Sequence, residues 1–425
     1  MSASRPGDLA RVDVAIVGGG MGGASLAAAL RDTDLTVALV EGYAPDAAAQ
    51  PSFDERTTAI GNGSRAVFEG LGVWPRMAAE GAAIRAIHVS DAGRFGFARL
   101  SAAEQGLDAF GHVLPNRAIG RALWSVLEGA PRLTPYMPAR AVQVTVDSGA
   151  ATLEVERTGK ARERLQASLL VAADGAQSML RSTLGLPSHV EDYGQVAVVA
   201  NVAAESRHDG TAYERFTSVG PLALLPLADG SYTVVWALAP GAAERARALP
   251  DVQFLAELQR RFGWRGGRVV RAGARASYPL ALTRSDATHG ERVVLSGNAA
   301  QALHPVAGQG FNLGLRDAAP LAEELACAKA RGEDVGSRAV IERFVAAREG
   351  DRRGVIRFTD GLVKLFRDER RGVGLLRDLG LLFFDLAPPA KRAMSRVSWG
   401  FAGRLPRLAR GLGLANQDRP ERHGD

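Results

Sequence analysis

The sequence predicts an α/β fold in which a parallel-sheet domain is interleaved with a second domain built on an antiparallel sheet, followed by a C-terminal helical segment. Three observations carry that prediction. The chain opens with a β-branched apolar run, a glycine-rich turn and a run of small helix-forming residues. Alternating, strand-like stretches occupy the middle. A second buried strand with its own glycine-rich continuation returns near residue 293, and the pattern beyond residue 318 is mostly helical. At 425 residues the chain exceeds one ordinary core and calls for two or more domains.

Residues 12–17, Val-Asp-Val-Ala-Ile-Val, read as a buried parallel strand, because a strand covered on both faces runs apolar without alternation. Gly18-Gly19-Gly20-Met21-Gly22-Gly23 follows at once, and 24–30 reads as a helix of small residues. A second strand, 36–40, ends on Glu41. This is G-x-G-x-x-G between strand and helix with an acid at the next strand end. Gly18 permits the tight turn, Gly20 lets a pyrophosphate approach the backbone, and Gly23 lets helix and strand pack closely. The helix N-terminus offers free N–H groups and partial positive charge to the phosphates. Glu41 can accept hydrogen bonds from a ribose diol, which suits FAD or NAD better than NADP.

Residues 113–127 hold Asn116, Arg117 and Arg121 on an amphipathic helix with Ile119, Leu123 and Leu127. Residues 141–146 and 151–156 alternate as a hairpin does, and 169–173 form a buried strand ending on Asp174-Gly175. Residues 196–203, 221–227 and 232–238 are assigned to the antiparallel sheet. The strand at 293–295 precedes the densest motif, 296–317. The domains are therefore read as discontinuous: 1–75, 111–183 and 276–350 for the nucleotide fold, 76–110 and 184–275 for the second domain, and 351–425 for a basic helical segment.

Hydrophobic residues make up 46% and charged residues 23%, which excludes a disordered chain. No apolar run reaches about 18 residues, so no spanning helix is expected. No apolar stretch precedes the first strand, so no secretion signal is read. One cysteine, Cys327, and seven histidines without HxxxH or HxH spacing point to no metal site and no disulfide framework, and to a reducing cytoplasm. Net charge is +6, yet 352–425 alone carries 16 basic and 8 acidic residues. Only four lysines occur, and this arginine bias reflects coding rather than a nucleic-acid surface. The tail reads either as a solvated helical face or as a contact with anionic lipid or a partner subunit, with the arginines from 392 to 410 and the apolar residues of 375–383 as its candidates.

The segments 18–23, 174–175 and 297–312 each end a buried strand, where open α/β sheets place ligands. Asp174-Gly175-Ala176-Gln177-Ser178-Met179-Leu180-Arg181 resembles the second motif of the single-component FAD-dependent aromatic hydroxylases of the para-hydroxybenzoate hydroxylase type. Gly297-Asn298-Ala299-Ala300-Gln301, continuing through His304-Pro305 to Gly308-Gln309-Gly310-Phe311-Asn312, resembles their third. The wider family has aspartate where this chain has Asn298. With Asp54-Glu55-Arg56, Asn116-Arg117-Ala118-Ile119 and Thr359-Asp360-Gly361-Leu362, the chain is similar to the branch that hydroxylates 2-polyprenyl-6-methoxyphenol in ubiquinone synthesis.

The resemblance implies a Rossmann-like FAD-binding domain interleaved with a substrate domain. It implies tightly bound, non-covalent FAD, NAD(P)H as a transient electron donor, and oxygen adding at flavin C4a to give the hydroperoxide that attacks a phenol ring. Gly18, Gly20, Gly23, Glu41, Asp174, Gly175, Asn298, Gly308, Gly310 and Asn312 are the expected cofactor contacts, with Arg117 and Arg121 as further candidates or helix-face charges. Arg56, His304 and Pro305 are the expected catalytic neighbours. A helix opening near 310–312 would stabilise the anionic reduced flavin without a titrating group. The implied partners are a polyprenyl phenol, molecular oxygen, other ubiquinone-biosynthesis proteins and a peripheral membrane surface. The apolar run 222–227 is a candidate for the substrate channel, and Tyr232 and Trp236 either line a substrate pocket or pack in the sheet. A sister hydroxylase acting at another ring carbon and a flavin-bearing scaffold stay open as alternatives, and no base for the phenol proton can be named.

Overall fold

The computed structural model describes residues 9–47, 50, 52–54, 56–157, 159, 161–304, 308–367, 370–387, 391 and 405–414. The opening unit is β1 (Ala10–Val17), α1 (Met21–Leu30) and β2 (Val37–Val40). β3 (Thr57–Gly61), α2 (Asn62–Gly70) and β4 (Ala82–Ile84) precede the hairpin β5 (Ala86–Asp91) and β6 (Phe97–Ser101). β7 (Gly111–Pro115) leads into α3 (Asn116–Leu127), β8 (Leu133–Tyr136), the hairpin β9 (Ala139–Val146) and β10 (Ala151–Arg157), β11 (Glu163–Ala172) and α4 (Met179–Thr183). Next come β12 (Ser188–Ala204), β13 (Thr211–Phe216), β14 (Pro221–Pro226), β15 (Tyr232–Leu238), α5 (Pro240–Ala248), α6 (Asp251–Phe262) and β16 (Val269–Ser285). The chain closes through β17 (His289–Gly290), β18 (Val293–Leu295), β19 (Gln301–Ala302), α7 (Gln309–Ala330), α8 (Arg338–Arg367) and α9 (Arg371–Leu386).

The first sheet runs β17-β18-β11-β1-β2-β8, with β10 and β9 continuing from β11. β18, β11, β1, β2 and β8 are mutually parallel, so β1 and β11 lie at its centre. Their unbroken apolar runs follow from that placement, with Val14, Ile16, Leu169 and Val171 buried on one face and Ala15, Leu170 and Ala172 on the other. α1 is built from small residues because its backbone lies against the sheet. A Cβ on Gly23 would stand 1.8 Å from the Gly18 carbonyl oxygen.

The second sheet runs β19-β16-β12-β15-β14-β13-β5-β6. Its pairs are antiparallel with one exception: β13 and β5 are parallel. The expected antiparallel sheet is therefore mixed. β5 and β13 are brought together across more than a hundred residues of intervening chain, a lateral pairing that no local pattern encodes. One face is covered by α5 and α6 over a core of Leu222, Leu224, Tyr232, Trp236, Phe254 and Phe262. This corrects the channel expectation for Leu222, Leu224, Tyr232 and Trp236, which pack away from the first sheet. A third, three-stranded sheet, β3-β7-β4, bridges the two.

α7 is held to α8 by a buried ion cluster. Asp317 accepts from Arg348 Nε at 2.9 Å, from Arg352 at 3.1 Å and from Gln301 Nε2 at 3.0 Å. Burial alone would raise the Asp317 carboxyl, yet Arg352 and Arg348 hold it below the ordinary aspartate range. Arg377 on α9 is likewise buried against Asp91. The basic excess of the tail is thus partly internal, which corrects its reading as a surface patch. The turn around Arg407–Arg410 is also structural: Leu408 and Leu414 join the core of the first domain, and the Arg407 N–H donates to Glu323 at 2.8 Å. The arginines at 392, 396 and 404 lie outside the described residues.

Asp317→Asn removes the carboxylate that Arg352 pairs with and leaves Arg348 only Asp351, and it should destabilise the fold by about 3–5 kcal/mol, measured by urea unfolding at pH 7. Because the carboxyl is depressed, the difference between the two proteins should vanish as pH falls through the folded-state value of this group.

Candidate active site

The G-x-G-x-x-G turn is closed by the acid predicted to face it. Glu41 is buried; it accepts from the Gly19 N–H at 2.5 Å, the Tyr43 N–H at 3.0 Å and Gln50 Nε2 at 3.3 Å. Gly18 has φ +103°, and a Cβ there would meet the Ala173 carbonyl oxygen at 2.3 Å, so the turn from β1 lies against the end of β11. A Cβ on Gly20 would meet Ser52 Oγ at 2.7 Å, whereas one on Gly22 meets nothing within 4 Å. Four consecutive backbone N–H groups open α1 here, as a pyrophosphate site needs.

The end of β11 faces the same side. Asp174 accepts from the Leu180 N–H at 3.1 Å through one oxygen, while its other oxygen is buried without a hydrogen-bond partner. A buried, unsatisfied carboxylate oxygen beside a glycine turn is a vacant acceptor for a sugar hydroxyl. Gly175 has φ +90°. Arg181 donates to the Ala176 carbonyl and to the Ala299 carbonyl, both at 2.8 Å, and so ties this turn to the 297–300 turn after β18. Asn298 on that turn is exposed.

α7 begins after Gly308 in the left-handed region, φ +61°. Gly310 has open space around it. The Asn312 side chain is fully engaged by backbone: it donates to the Ala59 and Gly308 carbonyls at 2.8 and 2.7 Å and accepts from the Gly61 N–H at 2.9 Å. Its side chain therefore shapes the helix start and the end of β3, leaving backbone N–H groups at the helix start as ligand donors.

The remaining candidates divide. Arg56 pairs with Asp54 at 2.5 Å and lies over the ring of Tyr278 on β16, 4.7 Å from its centre, so it spans the two sheets. Arg117 and Arg121 both pair with Glu80. His304 is buried; its Nε2 lies 3.3 Å from Gln195 Oε1, and its ring meets Tyr193 edge-on at 5.3 Å. Pro305 lies outside the described residues. Tyr278, Gln195, Tyr193 and Gln50 were not singled out by sequence. Each sits at an alternating strand position or in a loop, with no motif to mark it. A cleft of about 720 Å³ beside His88, Arg99, Arg265 and Lys391 contains no motif residue and lies apart from this site.

Residues 11–356 match the FAD binding domain family. The chain belongs to this family of FAD-dependent aromatic monooxygenases. It is 36% identical over 408 residues to a ubiquinone hydroxylase of Rhodospirillum rubrum, covering 95% of this chain and 93% of the relative. It is 30% identical over 398 residues to the 3-demethoxyubiquinol 3-hydroxylase of Escherichia coli, covering 91% and 98%. The crystal structure of p-nitrophenol 4-monooxygenase from Pseudomonas putida superposes with a TM-score of 0.75 at 18% identity, covering 91% of this chain and 97% of that one, and shares the fold.

Within this flavoprotein family the glycine geometry makes a direct test. Gly20→Val drives a branched side chain against Ser52 at the turn that opens α1, so purified protein should lose its FAD while its circular dichroism stays folded. Gly22→Ala should keep the fold, because its Cβ would meet no protein atom within 4 Å. Flavin absorbance per polypeptide and circular dichroism measure these outcomes.

Proposed function

We propose that this protein hydroxylates the aromatic ring of a polyprenyl phenol in ubiquinone biosynthesis. The observation that supports the reading is the convergence of three strand-end turns, after β1, β11 and β18, held by Gly18 against Ala173 and by Arg181 on the Ala176 and Ala299 carbonyls. The named relatives, themselves ubiquinone-pathway hydroxylases, support it.

FAD, reduced by NAD(P)H, would supply the activated oxygen. The chain would hold it at Glu41 and the α1 N-terminus for the adenosine and pyrophosphate, at Asp174 and Asn298 for the sugar-alcohol chain, and at the α7 N-terminus for the ring. The chain also excludes water. Ala59, Phe110, Val113, Ala212 and Leu225 form an apolar cluster on one side of the approach, and Tyr193, Phe216, Leu303 and Phe366 form one on the other. Purified protein incubated with FAD, NAD(P)H and a short-chain prenyl phenol should yield the ring-hydroxylated product, read by mass spectrometry with ¹⁸O₂ incorporation. Reduced-cofactor oxidation that yields only hydrogen peroxide with every phenol would reject the reading.

A polyprenyl substrate resides in lipid, and α9 supplies a surface for it. Its inner side is mixed: Arg377 pairs with Asp91, Asp378 accepts from the Gly96 N–H, Asp385 accepts from the Arg99 N–H, and Leu381 and Phe384 pack on apolar clusters. Its outer side carries Leu375, Leu376, Leu379, Phe383 and Leu386, with Leu376, Phe383 and Leu386 exposed by 70%, 73% and 81%. No described helix is long and apolar enough to cross a membrane, so the contact is peripheral. Leu376→Glu with Phe383→Glu should reduce co-sedimentation with phosphatidylglycerol vesicles by about tenfold or more, while turnover of a soluble short-chain phenol stays unchanged.

A further inference from the structure

Glu214, on β13, is a partly buried acid without an evident structural task. Its neighbours along the strand point to the far side of the second sheet: Tyr213 meets Phe262 and donates to the Arg265 carbonyl, among the residues of α6 and the loop after it. Strand alternation therefore aims Glu214 at the opposite face. Directly paired with it across the sheet are Ala223 on β14 and Val89 on β5. The row continues through Val235, Val199 and Ala276. This is the face that also carries Tyr278, under Arg56.

Two residues to either side fix its position more closely. Ala212 belongs to the cluster that includes Ala59, and Ala59 lies 3.2 Å from where a Cβ on Gly308 would stand. Phe216 belongs to the cluster that includes Leu303, next to His304. Glu214 thus sits between the two apolar walls of the approach, level with both flanks of the third motif. It is partly exposed, and among the described residues its carboxyl has no hydrogen bond or ion pair.

Charged and titratable groups on the surrounding elements are engaged elsewhere. Asp91 is held by Arg94 and Arg377, Asp360 by Tyr193 and Lys364, and Arg56 by Asp54. His304 is turned to Gln195. Burial alone pushes the Glu214 carboxyl up to about 8. A strand position meant only for packing would be better filled by leucine or glutamine, since an unpaired buried carboxyl destabilises the fold. Acids kept in this condition cluster at reacting sites.

We propose that Glu214 is the catalytic residue that accepts the proton of the substrate's phenol hydroxyl. The inference rests on the phenol-hydroxylase reading above. The phenol O–H bond breaks and its proton passes to a Glu214 carboxylate oxygen. The electron pair left on the phenol oxygen enters the ring and raises electron density at the ortho and para carbons. One of these takes up one oxygen atom of O₂; the second oxygen atom leaves as water, with two electrons drawn from NAD(P)H through FAD. The hydrogen on the attacked carbon departs as a proton when aromaticity returns, and Glu214 releases its own proton to solvent. A carboxylate with a raised proton affinity lies closer to a phenol than an ordinary glutamate does, which favours the transfer.

The test compares wild type, Glu214→Gln and Glu214→Asp as FAD-loaded proteins with a short-chain prenyl phenol. Because the ionised form accepts the proton, wild-type product formation should rise with pH and level off above about 8. Glu214→Gln should keep its FAD and its NAD(P)H-driven flavin reduction, lose about 100-fold or more in product formation and lose the pH-dependent rise. Glu214→Asp should retain part of both. A ring-fluorinated phenol already ionised at the assay pH should restore Glu214→Gln towards wild type. Thermal unfolding adds a readout without substrate. A raised carboxyl favours folding at low pH and loses that advantage as pH rises from about 4.5 to 8, so the wild-type melting temperature should fall over this window relative to that of Glu214→Gln. Product formation by Glu214→Gln at the wild-type rate with an unaltered pH profile overturns the assignment alone. If Glu214→Gln loses FAD, a wild-type profile flat between pH 6 and 9 overturns it. Failure of the wild type to hydroxylate any phenol overturns the underlying reading and this inference together.

Discussion

Asp317 is the point through which the two halves of the molecule hold one another. Its carboxylate lies where water cannot compensate a charge, so its guanidinium partners and the Gln301 amide must stay in place. Arg348 and Arg352 come from α8, Gln301 from the edge of the second sheet, and Asp317 itself from the helix whose start faces the cofactor side. Separating α7 from α8 would leave Asp317 without its guanidinium partners in a medium of low dielectric, and moving the sheet edge would remove its Gln301 donor. The α7 N-terminus, the 297–300 turn and the second sheet therefore keep a fixed mutual geometry, which a site built from three separate strand ends requires.

The parts of the molecule legible in sequence are those whose demands are local. Gly18 and Gly23 are required because the turn after β1 presses against the end of β11 and against its own helix, and no other residue type fits. Glu41 follows a strand end and accepts from the Gly19 N–H to close the same turn. Buried parallel strands announced themselves by unbroken apolar runs. The hairpin β9–β10 announced itself by alternation.

What the sequence concealed depends on lateral neighbours. The parallel contact of β13 with β5 joins residues far apart in the chain, and with it comes the direction in which Glu214 points. Tyr213-Glu214-Arg215-Phe216 does alternate, but alternation does not say which side meets the cofactor domain. Arg117 and Arg121 read equally as cofactor contacts or as helix-face charges, and their shared partner Glu80 lies on a segment without a motif. Asn312 looked like a ligand because of its place in a motif; its amide is bound instead by three backbone groups. Charge counting failed in the tail for a similar reason. Arg352 and Arg377 contribute to the basic sum, yet each is buried against an aspartate.

α9 has its polarity inverted relative to an ordinary surface helix. Rolling it to hide Leu376 and Phe383 would pull Arg377 from Asp91 and Asp378 from the Gly96 N–H. The helix is thus keyed against rotation by buried charge, and its greasy side works like a keel with one permitted heading. Any apolar body that meets it meets the whole molecule at one angle. A long molecule drawn from that body would always arrive in the same sense, one end leading. A flexible tail carrying the same residues could give adhesion, but it could not give direction.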